Sequence, residues 1–280
     1  MMAEAARKRR LAAHGILAAA AALTLFPFFW MFTTAFTPND LVLARPIRFW
    51  PETPTLENFR TAFSRHPVGL WLRNAVVIAG LVTLGKLAVS LPAAFAFARL
   101  RFAGRDAMFW IVVATLTFPS VIGIVPTFIA VVRVGWYDTL AGVIVPSIAH
   151  VGFYIFYLRQ NFRNLPAEIF DAARIDGAGT FRQFWQVALP NVRPAIWAVA
   201  VLSFLGAWNI YFWSLLVLES PEKQTITIGI KFFSDVETAN QLWGPLMAVA
   251  LLGVVPILAL FLLAQRSMIE AFAPGSGARG

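Results

Sequence analysis

The chain alternates between long apolar runs and short polar, charged or proline-rich stretches. Six of the runs approach or exceed the roughly 20 residues that a helix needs to cross a bilayer: His14 to Phe36, Trp71 to Ala98, Asp106 to Val132, Leu140 to Tyr157, Pro194 to Leu218, and Gly244 to Gln265. The pattern predicts an all-α polytopic membrane bundle with six transmembrane helices. Arg7-Lys8-Arg9-Arg10 precede the first run, as the basic region of a signal peptide would. That run ends in Phe26, Phe28, Phe29, Trp30 and Phe32 rather than in small residues, so it reads as an uncleaved helix with an interfacial aromatic belt. Pro119 and Pro126 are expected to break the third run and Pro146 to kink the fourth. Thr37 to Leu70 is proline-rich, with a short helix expected over Thr55–Phe63.

One polar island departs from this rhythm, Asn164 to Pro190, reading NLPAEIFDAARIDGAGTFRQFWQVALP. Pro166 suits a first helical turn, and Glu168 lies near that positive helix end. Ile169, Ala172 and Ala173 share a face at helical spacing. Gly177 and Gly179 supply the freedom to stop and turn, and a close backbone approach is expected to bar any large side chain at Gly177. Thr180 and Gln183 fit a capping box at the start of a second helix. Phe181, Phe184, Trp185 and Ala188 then recur at i, i+3, i+4 and i+7, one apolar stripe, and Pro190 closes the helix. Two short helices at a sharp corner, carrying large apolar side chains, suit insertion into another protein's groove. A plain amphipathic connector would not need those rings.

Composition narrows the chemistry. At 59% hydrophobic and 13% charged residues, the chain lies outside the range of ordinary soluble domains. The net charge of +9 fits loops that meet anionic lipid, so no nucleic-acid partner is expected. With no cysteine there is no disulfide or thiolate metal site. Gly80 to Lys86 imitates the start of a phosphate-binding loop, but Leu87 stands where Ser or Thr would hold magnesium, and the setting is an apolar helix. Lys86 needs another explanation, since a charge at mid-membrane costs about 2.5–3.5 kcal/mol. It is expected to face the bundle interior, a neighbouring subunit or a wet cavity, with snorkelling as the alternative. His150 has no metal-spaced partner. Asn209, midway along the fifth run, should face protein or water, and Trp208 and Tyr211 offer flat faces on which sugars stack. The alternative is that all three glue helices together. No catalytic or metal constellation stands out, so no enzyme is expected. Lys and Arg favour the side that holds both termini and the polar island, which places these in the cytoplasm.

The island's spacing resembles the cytoplasmic EAA loop of binding-protein-dependent ABC importer permeases. Asp171-Ala172-Ala173, Gly177, Val187 and Leu189-Pro190 stand at the family's spacings, with Asp171 in place of Glu and Val187 in place of Ile. Gly206 to Leu218, GAWNIYFWSLLVL, resembles the family's fifth helix, with Ile210 where an Asp is common. SFLGAWN followed by a Trp, and PEK before a Thr-Ile run, resemble the maltose-type carbohydrate branch. The likeness runs from about Trp71 to Arg266.

That resemblance implies an N-terminal segment over residues 1–70, a transmembrane core over 71–266 with its loop at 164–190, and a cytoplasmic tail over 267–280. It implies a multi-pass permease subunit of the cell inner membrane, forming half of the pathway for a sugar or related polyol. A second permease would complete a heterodimer, an ATPase dimer would dock on the cytoplasmic side, and a solute-binding protein on the other. This chain would hold no cofactor; ATP and magnesium would sit on the ATPase. Coupling would fall to Asp171, Ala172, Ala173, Gly177, Phe181, Phe184, Trp185, Val187, Leu189 and Pro190. The pathway candidates are Lys86, Trp208, Asn209 and Tyr211. A secondary transporter or channel subunit with a partner-binding loop is the alternative. It accounts for the runs and prolines but not for the loop, and would want an ionisable relay where Lys86 stands alone.

Overall fold

A computed structural model of the chain describes residues 2–44, 49–234 and 242–272. Part of the proline-rich segment (45–48), part of the polar stretch between the fifth and sixth runs (235–241) and the end of the tail (273–280) lie outside the described residues. Every regular element among the described residues is helical. Three apolar runs form unbroken helices long enough to span alone: α1 (Met2–Ala35), α3 (Val68–Arg99) and α12 (Trp243–Phe272). Each contains a proline, Pro27, Pro92 and Pro256 respectively, and continues through it. A proline removes one ladder hydrogen bond and clashes with the preceding turn, and the bonds around it hold the helix together here. The short helix expected at Thr55–Phe63 is α2 (Glu57–Arg65).

The other three runs are not single helices. The third is α4 (Arg105–Ala114) and α5 (Ile124–Arg133), separated where Phe118 becomes extended ahead of Pro119, as a residue before proline must. Pro126 does not break the span; it sits in the first turn of α5, where its missing N–H has no partner to lose. The fourth run is α6 (Leu140–Ile148) and α7 (Gly152–Arg163), meeting at 45°. Pro146 stays inside α6, and the chain opens instead at Ala149-His150-Val151.

Two compact units divide the chain, Met1–Gly69 with Gly229–Val255, and Leu70–Ile228 with Pro256–Gly280. In the first, the buried Asn58 amide donates to Ala35 O at 2.9 Å and Thr37 O at 2.7 Å, which satisfies carbonyls left over at the end of α1. His66 packs between the rings of Phe232 and Phe233. In the second unit, fully buried Trp71 donates to Pro221 O, and Asn74 to Glu222 O and Gln224 O, fixing the segment after the fifth run against α3. The turn between α5 and α6 carries Asp138 at φ 52°. Its carboxylate accepts from the backbone N–H groups of Glu219 and Ser220, from the Ser220 hydroxyl and from the Lys223 ammonium at 2.7 Å. Burial works to raise this carboxyl's pKa, but those donors outweigh it and hold the group well below the usual carboxylate range. At the opposite end of α3 lies an aromatic core, in which Phe95 touches Phe162, Phe170 and Phe184.

Candidate functional site

The island folds as two helices, α8 (Ala167–Ile175) and α9 (Thr180–Asn191). Pro166 sits one residue outside the first, at its N-cap. Two bonds and one backbone angle stop α8. Gly177 has φ +77°, Ala178 N–H donates to Ala173 O and Gly177 N–H to Arg174 O. Those are the two reverse bonds of a Schellman ending, with glycine at the left-handed position that an L side chain resists. A Cβ at Gly177 would meet no atom within 4 Å. The expectation of a close backbone approach was therefore wrong: the angle, not crowding, selects glycine. The capping box is absent as well. Gly179 is the N-cap, and Gln183 turns back to donate to Ala178 O at 2.7 Å, because Thr180 already lies inside the helix.

A half-buried guanidinium at the end of α3 braces the corner. Arg99 donates to Phe162 O at 2.9 and 2.7 Å and also to Leu165 O, and lies 4.4 Å above the Phe170 ring. It thereby caps the C-terminus of α7 and seats α8 on the core. Arg159, buried in α7, works alongside it: its guanidinium covers Phe109 at 3.8 Å and its Nε donates to Phe97 O. In the sequence both arginines look like ordinary charges flanking a membrane span.

The single apolar stripe divides in two. Gln183–Ala188 is π-helical within α9, so the turn per residue is smaller than the 3.6-residue spacing assumes. Phe184, Val187, Ala188 and Leu189 pack against the aromatic core. Phe181 and Trp185 face outward at 76% and 54% exposure, their rings 6.0 Å apart, and Ile175 at the end of α8 is 88% exposed. Ile175 was not among the candidates because it ends the first helix just before the turn. Asp171 and Ala172 are exposed and Ala173 half-buried; Asp171 pairs with Arg174 at 2.8 Å. Pro190 is exposed in the last turn and does not close the helix, which ends at Asn191 before a 79° bend into the fifth run.

That run is α10 (Arg193–Trp208) and α11 (Tyr211–Val217), not one helix. Asn209 ends α10: its amide donates back to Leu205 O at 2.8 Å, competing with continuation of the ladder. Trp208 is buried and stacked on Phe204 at 5.7 Å, whereas Asn209 and Tyr211 are exposed. The break thus separates side chains that a continuous helix would have set on adjoining faces. Among the described residues, Trp213 Nε1 and Ser214 Oγ on α11 are buried with no hydrogen-bond partner. Lys86 is buried inside the second unit, with its ammonium 5.0 Å from the centre of the Tyr154 ring and no ion pair among the described residues. The ring face answers part of the charge. Gly85 beside it lies so close to Ile148 that a Cβ would overlap that side chain.

Residues 87–269 match the sequence profile of a family described as the binding-protein-dependent transport system inner membrane component. The diacetylchitobiose uptake system permease protein of Streptomyces coelicolor is 30% identical over 98% of this chain and 91% of its own. The sn-glycerol-3-phosphate transport system permease protein of Rhizobium meliloti is 33% identical over 93% and 94%. Among solved structures, a bacterial ABC transporter involved in the import of the acidic polysaccharide alginate superposes with a TM-score of 0.81 at 21% identity, covering 94% of this chain and 97% of that one. This last likeness is one of fold.

Proposed function

The chain belongs to the inner membrane components of binding-protein-dependent transport systems, and from that membership we propose how it works: as the permease subunit of an ATP-driven importer, forming half of the pathway for a sugar or related polyol. Relatives named for diacetylchitobiose and for sn-glycerol-3-phosphate support the solute class. A secondary transporter or channel is set aside by the same membership, and the subunit is no enzyme.

One observation carries the coupling role. Ile175, Phe181 and Trp185 stand out from a corner held rigid by Arg99, and so much exposed aromatic surface on a polar loop is a mark of an interface. A separate ATPase dimer, which holds the ATP and magnesium, covers it. Asp171, Ala172, Gly177 and Pro190 shape the exposed rim of that interface, while Ala173, Phe184, Val187 and Leu189 anchor it from within. The loop is cytoplasmic, as are both termini. A second permease completes the pathway, and a solute-binding protein delivers from the other side. Asn209 and Tyr211, exposed at the break in the fifth span, contact the solute. Trp208 and Lys86, buried within the chain, shape the wall behind them.

The test is Phe181→Ala with Trp185→Ala on the assembled transporter. Each ring is worth about 2 kcal/mol if it is an anchor, or about thirty-fold in affinity. The subunit should fold and insert normally, while the ATPase is lost on purification and uptake ceases. Undiminished ATPase recovery with normal uptake would sink the coupling role.

A further inference from the structure

Four arginines gather at the loop-side end of the second unit. Arg105, at the start of α4, lines a cavity of about 450 Å³ together with Arg159, Arg163, Asp106, Phe109 and Trp110. Arg101 and Arg105 line an adjoining one of about 430 Å³. Asp106 is the one carboxylate among these lining residues, and Arg105 already holds it at 3.0 Å. In the first hollow three guanidiniums against one carboxylate leave two positive charges, and Arg101 adds another in the one adjoining it.

Arg159 shows why this is more than a solvated charge run. It is 8% exposed, and its Nε is spent on Phe97 O. Its two terminal nitrogens open onto the hollow with no hydrogen-bond partner among the described residues. Like charges crowded together repel one another unless an anion sits among them. Guanidinium forks match phosphate oxygens in geometry as well as charge.

The surroundings select the source of that phosphate. The hollow lies where apolar spans end, and Met108, Trp110 and Ile111 on α4 are exposed beside it, at 52%, 64% and 67%. An exposed indole at a span end marks the level of the headgroups. Apolar side chains running on from a basic pocket offer a bed for acyl chains, which a soluble anion would not use. We propose that this hollow is a binding site for an anionic phospholipid, its phosphate held by Arg105, Arg159 and Arg163 and its chains laid along α4.

The experiment uses the transporter complex purified in detergent, with lipid adducts counted by native mass spectrometry. Dioleoylphosphatidylglycerol and dioleoylphosphatidylcholine are the probes. The phosphatidylglycerol should be retained selectively, and millimolar inorganic phosphate should not displace it. Arg105→Gln with Arg163→Gln, both outside the buried core, should weaken retention on the order of 25-fold, about five-fold per charge. Arg60→Gln, an exposed arginine in the other unit, should change nothing. Equal retention of the two lipids, or retention unmoved by the double substitution, would overturn the site. Displacement by inorganic phosphate would make it a soluble-anion pocket. Loss of the ATPase with lipid retention intact would make it a protein-docking face instead.

Discussion

Replacing Arg99 by Met keeps the bulk of the side chain and removes its charge and donors. Three hydrogen bonds to two carbonyls are lost, and Phe162 O and Leu165 O remain half-buried without that partner. Each such carbonyl costs about 1–3 kcal/mol, and the stacking on Phe170 adds about 0.5–1 kcal/mol. Since these terms share one side chain, about 3–5 kcal/mol is expected for holding the loop on the core. Arg99→Lys should keep roughly half of this, because an ammonium cannot bridge both carbonyls with a planar fork. The readout is tryptic cleavage at Arg174 and Arg182, both exposed on the loop, in the subunit freed of its ATPase. When cleavage follows the open population, a loss of 3 kcal/mol raises the rate on the order of 100-fold. Met should therefore be cut far faster than wild type, and Lys at an intermediate rate. Equal cleavage of all three, with uptake unaffected, would show that the corner holds its shape without this guanidinium.

At Gly177, Asn should support uptake where Val does not, because Asn tolerates a left-handed angle that costs Val about 1–2 kcal/mol; equal failure of both would restore crowding, this time by a partner. Asn209→Ala should lower uptake or change its selectivity while subunit assembly and basal ATP hydrolysis survive, and a yield that falls in step with uptake would make the residue a structural cap alone. Asp138→Asn should lower the melting temperature at neutral pH. The folded-state pKa of this carboxyl is depressed, so its stabilisation is complete above the ordinary value of about 3.9 and fades as pH falls through the lower folded one. Melts of the two proteins should still differ at about pH 5, and convergence there would contradict the clasp.

The spans and the island could be read from the sequence because both rest on local rules. Apolar runs have a length, and a Schellman ending needs a glycine at Gly177. What failed was the assumption of uniform helical spacing. Asn209 stops a helix by bonding back to Leu205 O, a choice that any exposed asparagine makes only when the next turn is expendable. Gln183–Ala188 adopts a π ladder, and no period in the sequence announces it. The bracing arginines escaped notice for a different reason. Charges at the ends of membrane spans are ordinarily topological signals, and nothing in the letters separates Arg99, which is spent on carbonyls, from Arg101, which is exposed.

The π segment has a consequence for how this chain could change. A wider turn holds one residue more than an α turn over the same rise, so it works as a gear between the two ends of α9. Upstream of it, Phe181 is presented outward; downstream, Leu189 is held on the core. The extra residue is what keeps those two faces in register. At unchanged length, a ladder that tightened to α would swing Phe181 by about 100° relative to Leu189, turning the outward face aside with every side chain intact. The π turn is therefore a mechanical dimension of the subunit: its loss, rather than the loss of any one side chain, re-aims the outward face.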